Sequence, residues 1–113
     1  MKEKDMRVSQ DAKVQTVITT YEVTPGTYLD LLEELRKAFD GFIRVQDGFV
    51  AGAVHTNDAQ TRIANYTQWQ TREQFLNVLR SEEMRRMNRK FSELSKGFEP
   101  VLYEVHASFD AEQ

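Results

Sequence analysis

The sequence contains no cysteine, and in 113 residues it has only two prolines, five glycines and two histidines. Without cysteine, a disulfide framework and a thiolate metal site are both excluded. The few glycines and prolines form no linker or low-complexity stretch, and no internal repeat of solenoid length is present. A chain of this length, with 40% hydrophobic and 29% charged residues, is typical of one folded globular domain.

The sequence also lacks long apolar runs and a large excess of charge of either sign. No apolar run approaches the roughly 20 residues that a membrane span needs, and residues 1–13 lack the apolar core of a signal peptide. Basic residues between Arg80 and Lys90 are interleaved with glutamates, which is typical of a solvated helix face. The net charge of −3 argues against a general nucleic-acid binder. From these absences together we expect a cytoplasmic protein that binds neither nucleic acid nor a membrane.

Four segments have the β-branched or alternating apolar pattern of strands. They are residues 14–23, 49–56, 61–70 and 100–109. The polar turn between the second and third segments is so short that these two strands must be antiparallel.

Helix-start signals lie between these strands. Thr24-Pro25 offers a capping hydroxyl and a proline at the first helical position. Thr71 with Gln74 fits a capping box, and Ser81 is a further cap. The order strand, helix, strand, strand, helix, strand predicts an α+β fold, the ferredoxin-like split βαβ arrangement, with a four-stranded antiparallel sheet covered by helices on one face.

The strand patterns predict that the uncovered face of the sheet is apolar as well. In the second strand we expect Phe49, Ala51, Ala53 and His55 to share one face. The last strand is also apolar on one side, from Val101 onward. An apolar face without a helix needs a partner, so we expect a homodimer in which two sheets pack into a barrel.

The third predicted strand carries the candidate site residues. Ile63, Asn65, Thr67 and Trp69 have equal parity and share one face, with Tyr66 on the other. A buried amide needs hydrogen-bond partners, which either a ligand pocket or a neighbouring backbone group would provide. A lone tryptophan in a small domain is compatible with a place in the core or in a site.

A block of residues in this region resembles a known family. The stretch from Gly48 to Phe75 is similar to the antibiotic biosynthesis monooxygenase family of the dimeric α+β barrel superfamily. The residues that carry the resemblance are Gly48-Phe49, His55 and the run Asn65-Tyr66-x-Gln68-Trp69-x-Thr71-x-x-x-Phe75. The resemblance implies a domain over residues 13–109, with polar tails at 1–12 and 110–113.

The family includes oxygenases that convert phenols or anthrones to quinones without metal or flavin. By resemblance, Asn65 would donate a hydrogen bond to the substrate oxygen, Trp69 would stack on the ring and Arg89 would offset charge. The substrate would be a small aromatic molecule, the oxidant dioxygen, and no cofactor or metal would be needed. We expect an aromatic-sized pocket bounded by Asn65, Trp69, Phe75 and the helix that carries Arg89.

Phe75, His55 and Ile63 are the expected substrate contacts. Relatives often have a tyrosine where this chain has Phe75, so a hydroxyl that could orient or protonate an intermediate is missing. His55 could act as a base or simply be a hydrogen-bonded structural residue. Arg89 could instead pair with Glu93 across the helix face.

Two other functions remain open at this stage. A non-catalytic dimer that binds a small molecule would share the fold without the chemistry. A haem-degrading relative would need an axial ligand, normally a histidine on the helix after the third strand. Residues 71–96 contain no histidine, which argues against this second alternative.

Overall fold

The computed structural model describes residue 8 and residues 13–112. Within them, strands and helices follow the predicted order. The strands are β1 (Gln15–Glu22), β2 (Phe49–Thr56), β3 (Arg62–Trp69) and β4 (Gly97–Tyr103), and the helices are α1 (Pro25–Gly41), α2 (Arg72–Arg80) and α3 (Glu82–Glu93). A short 3-10 helix, Ile43–Val45, follows α1 and was not predicted. None of the helices in these residues is long and apolar enough to cross a membrane.

The sheet has the strand order β2-β3-β1-β4, and each neighbouring pair is antiparallel. This confirms the predicted ferredoxin-like arrangement. One face of the sheet packs against the helices through Val17, Tyr21, Ile63 and Trp69. The main core therefore lies between this face and the helices.

The helix starts follow the predicted residues, with one difference in bonding. The hydroxyls of Thr71 and Ser81 accept from the backbone N–H groups of Gln74 (3.1 Å) and Met84 (3.2 Å) and cap α2 and α3. At α1 the Thr24 side chain makes no such bond, because its hydroxyl lies 3.3 Å from that of Thr27. Pro25 and the Thr24 carbonyl, which accepts from Tyr28 N–H at 3.0 Å, begin that helix instead.

The predicted face of Phe49 is wrong because β2 contains an irregularity. Phe49 pairs with Trp69, but the next paired residue, Ala51, is opposite Gln68, so the register shifts at Val50. A β-bulge of this kind reverses the parity of every residue that precedes it. Phe49 therefore faces the helices, while Ala51, Ala53 and His55 face the other way.

The predicted boundaries of β4 are also wrong. The strand begins at Gly97, opposite Glu22, and ends at Tyr103, opposite Thr16. A strand extends only as far as it has a backbone partner, and β1 begins at Gln15. The alternating apolar residues that follow therefore lie outside the sheet, and Phe109 is 91% exposed. The predicted tail over residues 1–12 falls outside the described residues except for Val8.

Candidate functional site

A small cavity lies between the helix-facing side of the sheet and the helices. Its volume is about 60 Å³. The sheet contributes Val17, Thr19, Tyr21, Asn65, Thr67, Trp69, Phe98 and Pro100. The helices and the segment after α1 contribute Phe39, Ile43, Phe75, Val78, Leu79, Met84 and Asn88. The lining is mainly apolar, so each polar group in it has few alternative partners.

Asn65 is a polar residue of this lining whose hydrogen bonding is incomplete. Its side chain is buried, with 5% of the residue exposed. The Nδ2 group donates to the Tyr21 hydroxyl at 3.4 Å, whereas Oδ1 is buried without a partner among the described residues. A buried polar atom left unpaired costs about 1–3 kcal/mol. A ligand that enters the cavity with a donor would remove this cost.

Tyr21 is a site residue that the sequence analysis missed. Its ring stacks on Phe98 with the centroids 4.8 Å apart, and Phe91 approaches it edge-on at 6.1 Å. Burial raises the pKa of Tyr21 well above its ordinary value, because the phenolate would lose its hydration. The alternation of the first strand, which puts Tyr21 on the same face as Val17 and Thr19, was a signal that could have located it.

Trp69 forms a rigid wall of the cavity. Its Nε1–H donates to the Thr67 hydroxyl at 3.0 Å, and that hydroxyl donates to the Val17 carbonyl at 3.4 Å. Phe49 packs edge-on against the indole ring, with the centroids 5.3 Å apart. With 2% exposure and its N–H already paired, Trp69 offers a ligand the surface of its ring.

Phe75 and Ile63 both face the core, but only Phe75 borders the cavity. Thr71 caps α2 and so places Phe75 above Trp69, with ring centroids 5.6 Å apart. Ile63 is fully buried on the same side of β3 as Asn65, beyond the cavity wall. The structure thus brings Asn65, Trp69 and Phe75 together and leaves Ile63 in the core.

Arg89 and His55 do not reach the cavity. Arg89 is exposed and borders a separate surface groove between α1 and α3, which Glu34 also lines. The expected pair with Glu93 is absent among the described residues, where Glu93 lies 3.8 Å from Lys90 instead. His55 pairs with Ala64 in the register of β2 and β3 and is exposed on the opposite face of the sheet.

Helix α3 instead contributes Met84 and Asn88 to the cavity. Asn88 is half-buried and lies four residues after Met84, so the apolar stripe of the helix could have identified it. The position next to it, Arg89, points away from that stripe. The helix that carries Arg89 thus borders the cavity, as expected, whereas Arg89 itself does not line it.

The cavity in this conformation is smaller than the aromatic-sized pocket that we expected. A cavity of about 150 Å³ binds benzene, so about 60 Å³ is too small for one aromatic ring. The half-buried residues Leu79, Asn88, Phe98 and Pro100 form part of the lining. A ring-sized ligand needs movement of these side chains.

The acidic and histidine side chains of residues 13–112 form no metal site. In the described part of the chain, no three of them are grouped closely enough to hold a metal ion.

Comparison with solved structures shows the same fold in several proteins. An anthrone oxidase-like protein superposes with a TM-score of 0.80 at 23% identity, over 86% of this chain and 41% of that protein. This chain thus spans about two fifths of the length of that relative. A Streptomyces coelicolor monooxygenase, in complex with the ligand nanaomycin D, has a TM-score of 0.75 at 20% identity, over 88% of this chain and 93% of that one.

A conserved protein from Methanosarcina mazei has a TM-score of 0.74 at 14% identity, over 84% of this chain and 95% of that one. A search of the curated proteins found no match. The family model described as antibiotic biosynthesis monooxygenase matches residues 14–90. Because this match covers more than half of the chain, the protein belongs to the antibiotic biosynthesis monooxygenase family.

Proposed function

We propose that this protein is a cofactor-independent monooxygenase that oxidises an aromatic, enolisable molecule, such as a phenol or an anthrone, to a quinone. The observation that carries this proposal is the incompletely bonded Asn65 amide, which is buried against the rings of Trp69 and Phe75 in one cavity. A polar group at an apolar wall suits a flat aromatic ligand with one oxygen substituent.

The reaction balances without an additional reductant. The enolisable substrate loses a proton, and its anion transfers an electron to dioxygen. The resulting radicals combine to form a peroxide at the ring carbon. The O–O bond then breaks as the remaining C–H proton leaves, so one oxygen atom becomes the quinone carbonyl and the other becomes water. The substrate supplies all the electrons that reduce dioxygen.

The protein would contribute binding and electrostatic stabilisation. A rotation of the Asn65 amide exchanges Oδ1 and Nδ2, so the residue can accept from a phenol or donate to its anion. The rings of Trp69 and Phe75 would hold the substrate plane and exclude water, which strengthens every polar interaction inside the cavity. Exposed Arg89 and His55 have no part in this scheme.

The names of two structurally similar proteins support the proposed reaction. One is anthrone oxidase-like, and the other is a monooxygenase. Both likenesses are below 25% identity and show the fold, so the substrate class proposed for this chain rests on the cavity.

The test is oxygen uptake by purified, metal-stripped protein with a panel of anthrones and hydroquinones. We expect uptake by the unmodified protein and its loss in Asn65→Ala, since the amide is the polar anchor. Asn77→Ala, at an exposed position of α2, is the matched control and should keep full activity. Equal uptake by both variants would exclude Asn65 from the reaction.

A non-catalytic binding protein of the same fold is the second candidate. It is favoured by the small cavity and by Phe75, which brings no hydroxyl to the helix side of the site. Binding of panel compounds without oxygen uptake would support it. The haem-degrading alternative gains no support, because the residues that line the cavity in the described chain include no histidine.

We also infer that the protein acts as a homodimer through the open face, the sheet side opposite the helices. Its centre is a row of side chains on four neighbouring strands, Ala53, Tyr66, Ile18 and Val101. The Tyr66 hydroxyl is buried in this face without a partner among the described residues. A second copy would cover the apolar row and could supply the missing hydrogen bond.

A further inference from the structure

We propose that the Tyr21 hydroxyl is a second hydrogen-bonding group of this site and donates to the same substrate oxygen that Asn65 binds. This inference rests on the proposed function, in that it concerns the same cavity and a phenolic ligand. It assigns a substrate-recognition role to β1, from which the sequence analysis had predicted none.

The geometry of the Tyr21–Asn65 pair leaves the tyrosine proton available. Both residues line the cavity, and Asn65 Nδ2 donates to the Tyr21 oxygen at 3.4 Å. A phenolic oxygen that accepts one hydrogen bond still carries its own O–H donor. The pair therefore presents one donor, the Tyr21 O–H, and one acceptor, Asn65 Oδ1.

The neighbouring polar groups are less suited to this role. The Trp69 N–H and the Thr67 hydroxyl are already bonded to each other and to the backbone. Helix α2 faces the cavity with Phe75, Val78 and Leu79, which carry no polar atom in their side chains. The sheet brings two further hydroxyls to the lining, those of Thr19 and Tyr21, and of these two it is Tyr21 that is bonded to Asn65.

The protonation state of Tyr21 suits a donor. Desolvation raises the pKa of Tyr21, so its hydroxyl stays protonated through the neutral and mildly alkaline range in which a bound phenol or enol would ionise. A protonated neighbour stabilises the resulting anion, whereas a second phenolate would repel it.

The donor and acceptor together define the substrate class. A free phenol or enol can donate to Asn65 Oδ1 and accept from Tyr21 at the same time. An aryl methyl ether can only accept. We therefore expect Asn65 Oδ1 to favour a phenol over its methyl ether, and the Tyr21 hydroxyl to favour a ligand with a ring oxygen over the bare hydrocarbon.

The experiment measures binding of 1-naphthol and naphthalene by isothermal titration calorimetry under argon. Tyr21→Phe removes the hydroxyl and keeps the ring that packs on Phe91 and Phe98. Tyr28→Phe is the matched control, because Tyr28 is also buried but does not line the cavity. We expect Tyr21→Phe to weaken 1-naphthol binding about fivefold, the effect of one neutral hydrogen bond, and to leave the binding of naphthalene, which has no oxygen, unchanged.

Three outcomes would overturn the inference. The first is unchanged 1-naphthol affinity in Tyr21→Phe. The second is an equal loss of affinity for both ligands, which would indicate a packing effect. The third is no 1-naphthol binding by the unmodified protein. Because binding is measured without oxygen, the result is separate from turnover. If Tyr21→Phe selectively loses 1-naphthol binding while the unmodified protein takes up no oxygen, this inference stands and the monooxygenase proposal is rejected.

Discussion

Asn65 combines a cost in stability with a proposed role in the site. Its Oδ1 atom is buried without a partner in the described chain, although nearly all buried polar atoms in proteins are hydrogen-bonded. Residues retained for function often reduce stability in this way. A structural asparagine would instead have both of its amide atoms bonded by the surrounding protein.

The substitution Asn65→Leu separates these two roles. It removes the unpaired Oδ1 atom at similar side-chain volume, but it also removes the Nδ2 donor to Tyr21. Because these two effects offset each other, we expect the free energy of unfolding to change by less than about 1 kcal/mol, while oxygen uptake is lost. Urea denaturation of this variant, beside the exposed Asn77→Leu, measures the effect. A loss of 2 kcal/mol or more, on the scale of a broken buried network, would mean that Asn65 is structural.

Tyr21 gives the protein a specific dependence on alkaline pH. Its pKa is raised in the folded state from an ordinary value of 10.0. Below pH 10 both states are protonated and the contribution is constant. Above it the unfolded state loses its proton first, so stability falls as the pH rises toward the folded pKa, by about 1.4 kcal/mol per pH unit.

The test compares the unmodified protein with Tyr21→Phe in urea unfolding at several pH values between 9 and 11.5. Every other ionisable group is common to the two proteins, so the difference in unfolding free energy isolates Tyr21. We expect this difference to be constant up to about pH 10 and to shift in favour of Tyr21→Phe above it. A difference that does not change with pH would show that the Tyr21 hydroxyl is solvated.

The sequence predicted the residues of the site where strand parity was reliable. Asn65 and Trp69 share a face of β3, and the Thr71 cap fixes Phe75 close to them. Strand alternation also predicted that His55 and Phe49 share a face, but the register shift at Val50 places them on opposite faces of the sheet. The positions of Tyr21 and Asn88 in the cavity lining depend on the tertiary packing of β1 and α3, which local sequence patterns do not specify.

At the scale of elements, the turn before β2 positions one wall of the cavity. Gly48 has φ +90°, a conformation that favours glycine. Its carbonyl accepts from Gln70 N–H at 2.7 Å, which ties the start of β2 to the end of β3. Phe49 is thereby directed onto Trp69, so this turn connects backbone geometry with the site.

Gly48→Ala should be markedly destabilising. A Cβ atom there would lie 2.4 Å from Gln74 Oε1 and 2.6 Å from Gln74 Cβ, and the positive φ adds strain. We expect a loss of about 2 kcal/mol in thermal or urea unfolding. The control is Gly41→Ala in α1, where a Cβ meets nothing within 4 Å and stability should rise by about 0.5 kcal/mol. Equal stability of the two variants would contradict this account of the turn.

The order of the elements was predictable because each strand has an alternating or β-branched apolar pattern and each helix has an apolar stripe and a start signal. The ends of the elements were less predictable, because they depend on the residues with which each end pairs. β4 stops at Tyr103, opposite the start of β1, although the alternation of apolar residues continues toward Phe109. The Thr24 cap was wrong because two nearby hydroxyls bond to each other, a choice that the sequence pattern leaves open.

At the scale of the whole molecule, the central strands serve two surfaces. Asn65, Thr67 and Trp69 face the cavity, whereas Tyr66 and Gln68 between them face the open side. Covering the open face with a second copy would therefore hold β3 from both sides. Because the two surfaces are on opposite sides of the sheet, a substitution on the open face can test association without altering the cavity lining.

Ile18→Lys is the substitution that tests the dimer. Ile18 is at the centre of the open face, between Tyr66 and Val101, and a lysine there would place an unpaired charge in the proposed interface, which is strongly unfavourable. We expect sedimentation velocity to give twice the chain mass for the unmodified protein and the single-chain mass for Ile18→Lys. Leu29→Lys is the matched control, because Leu29 is an apolar residue of α1 that is 68% exposed, and it should remain dimeric. A monomeric unmodified protein, or a dimeric Ile18→Lys variant, would exclude the open face as the interface.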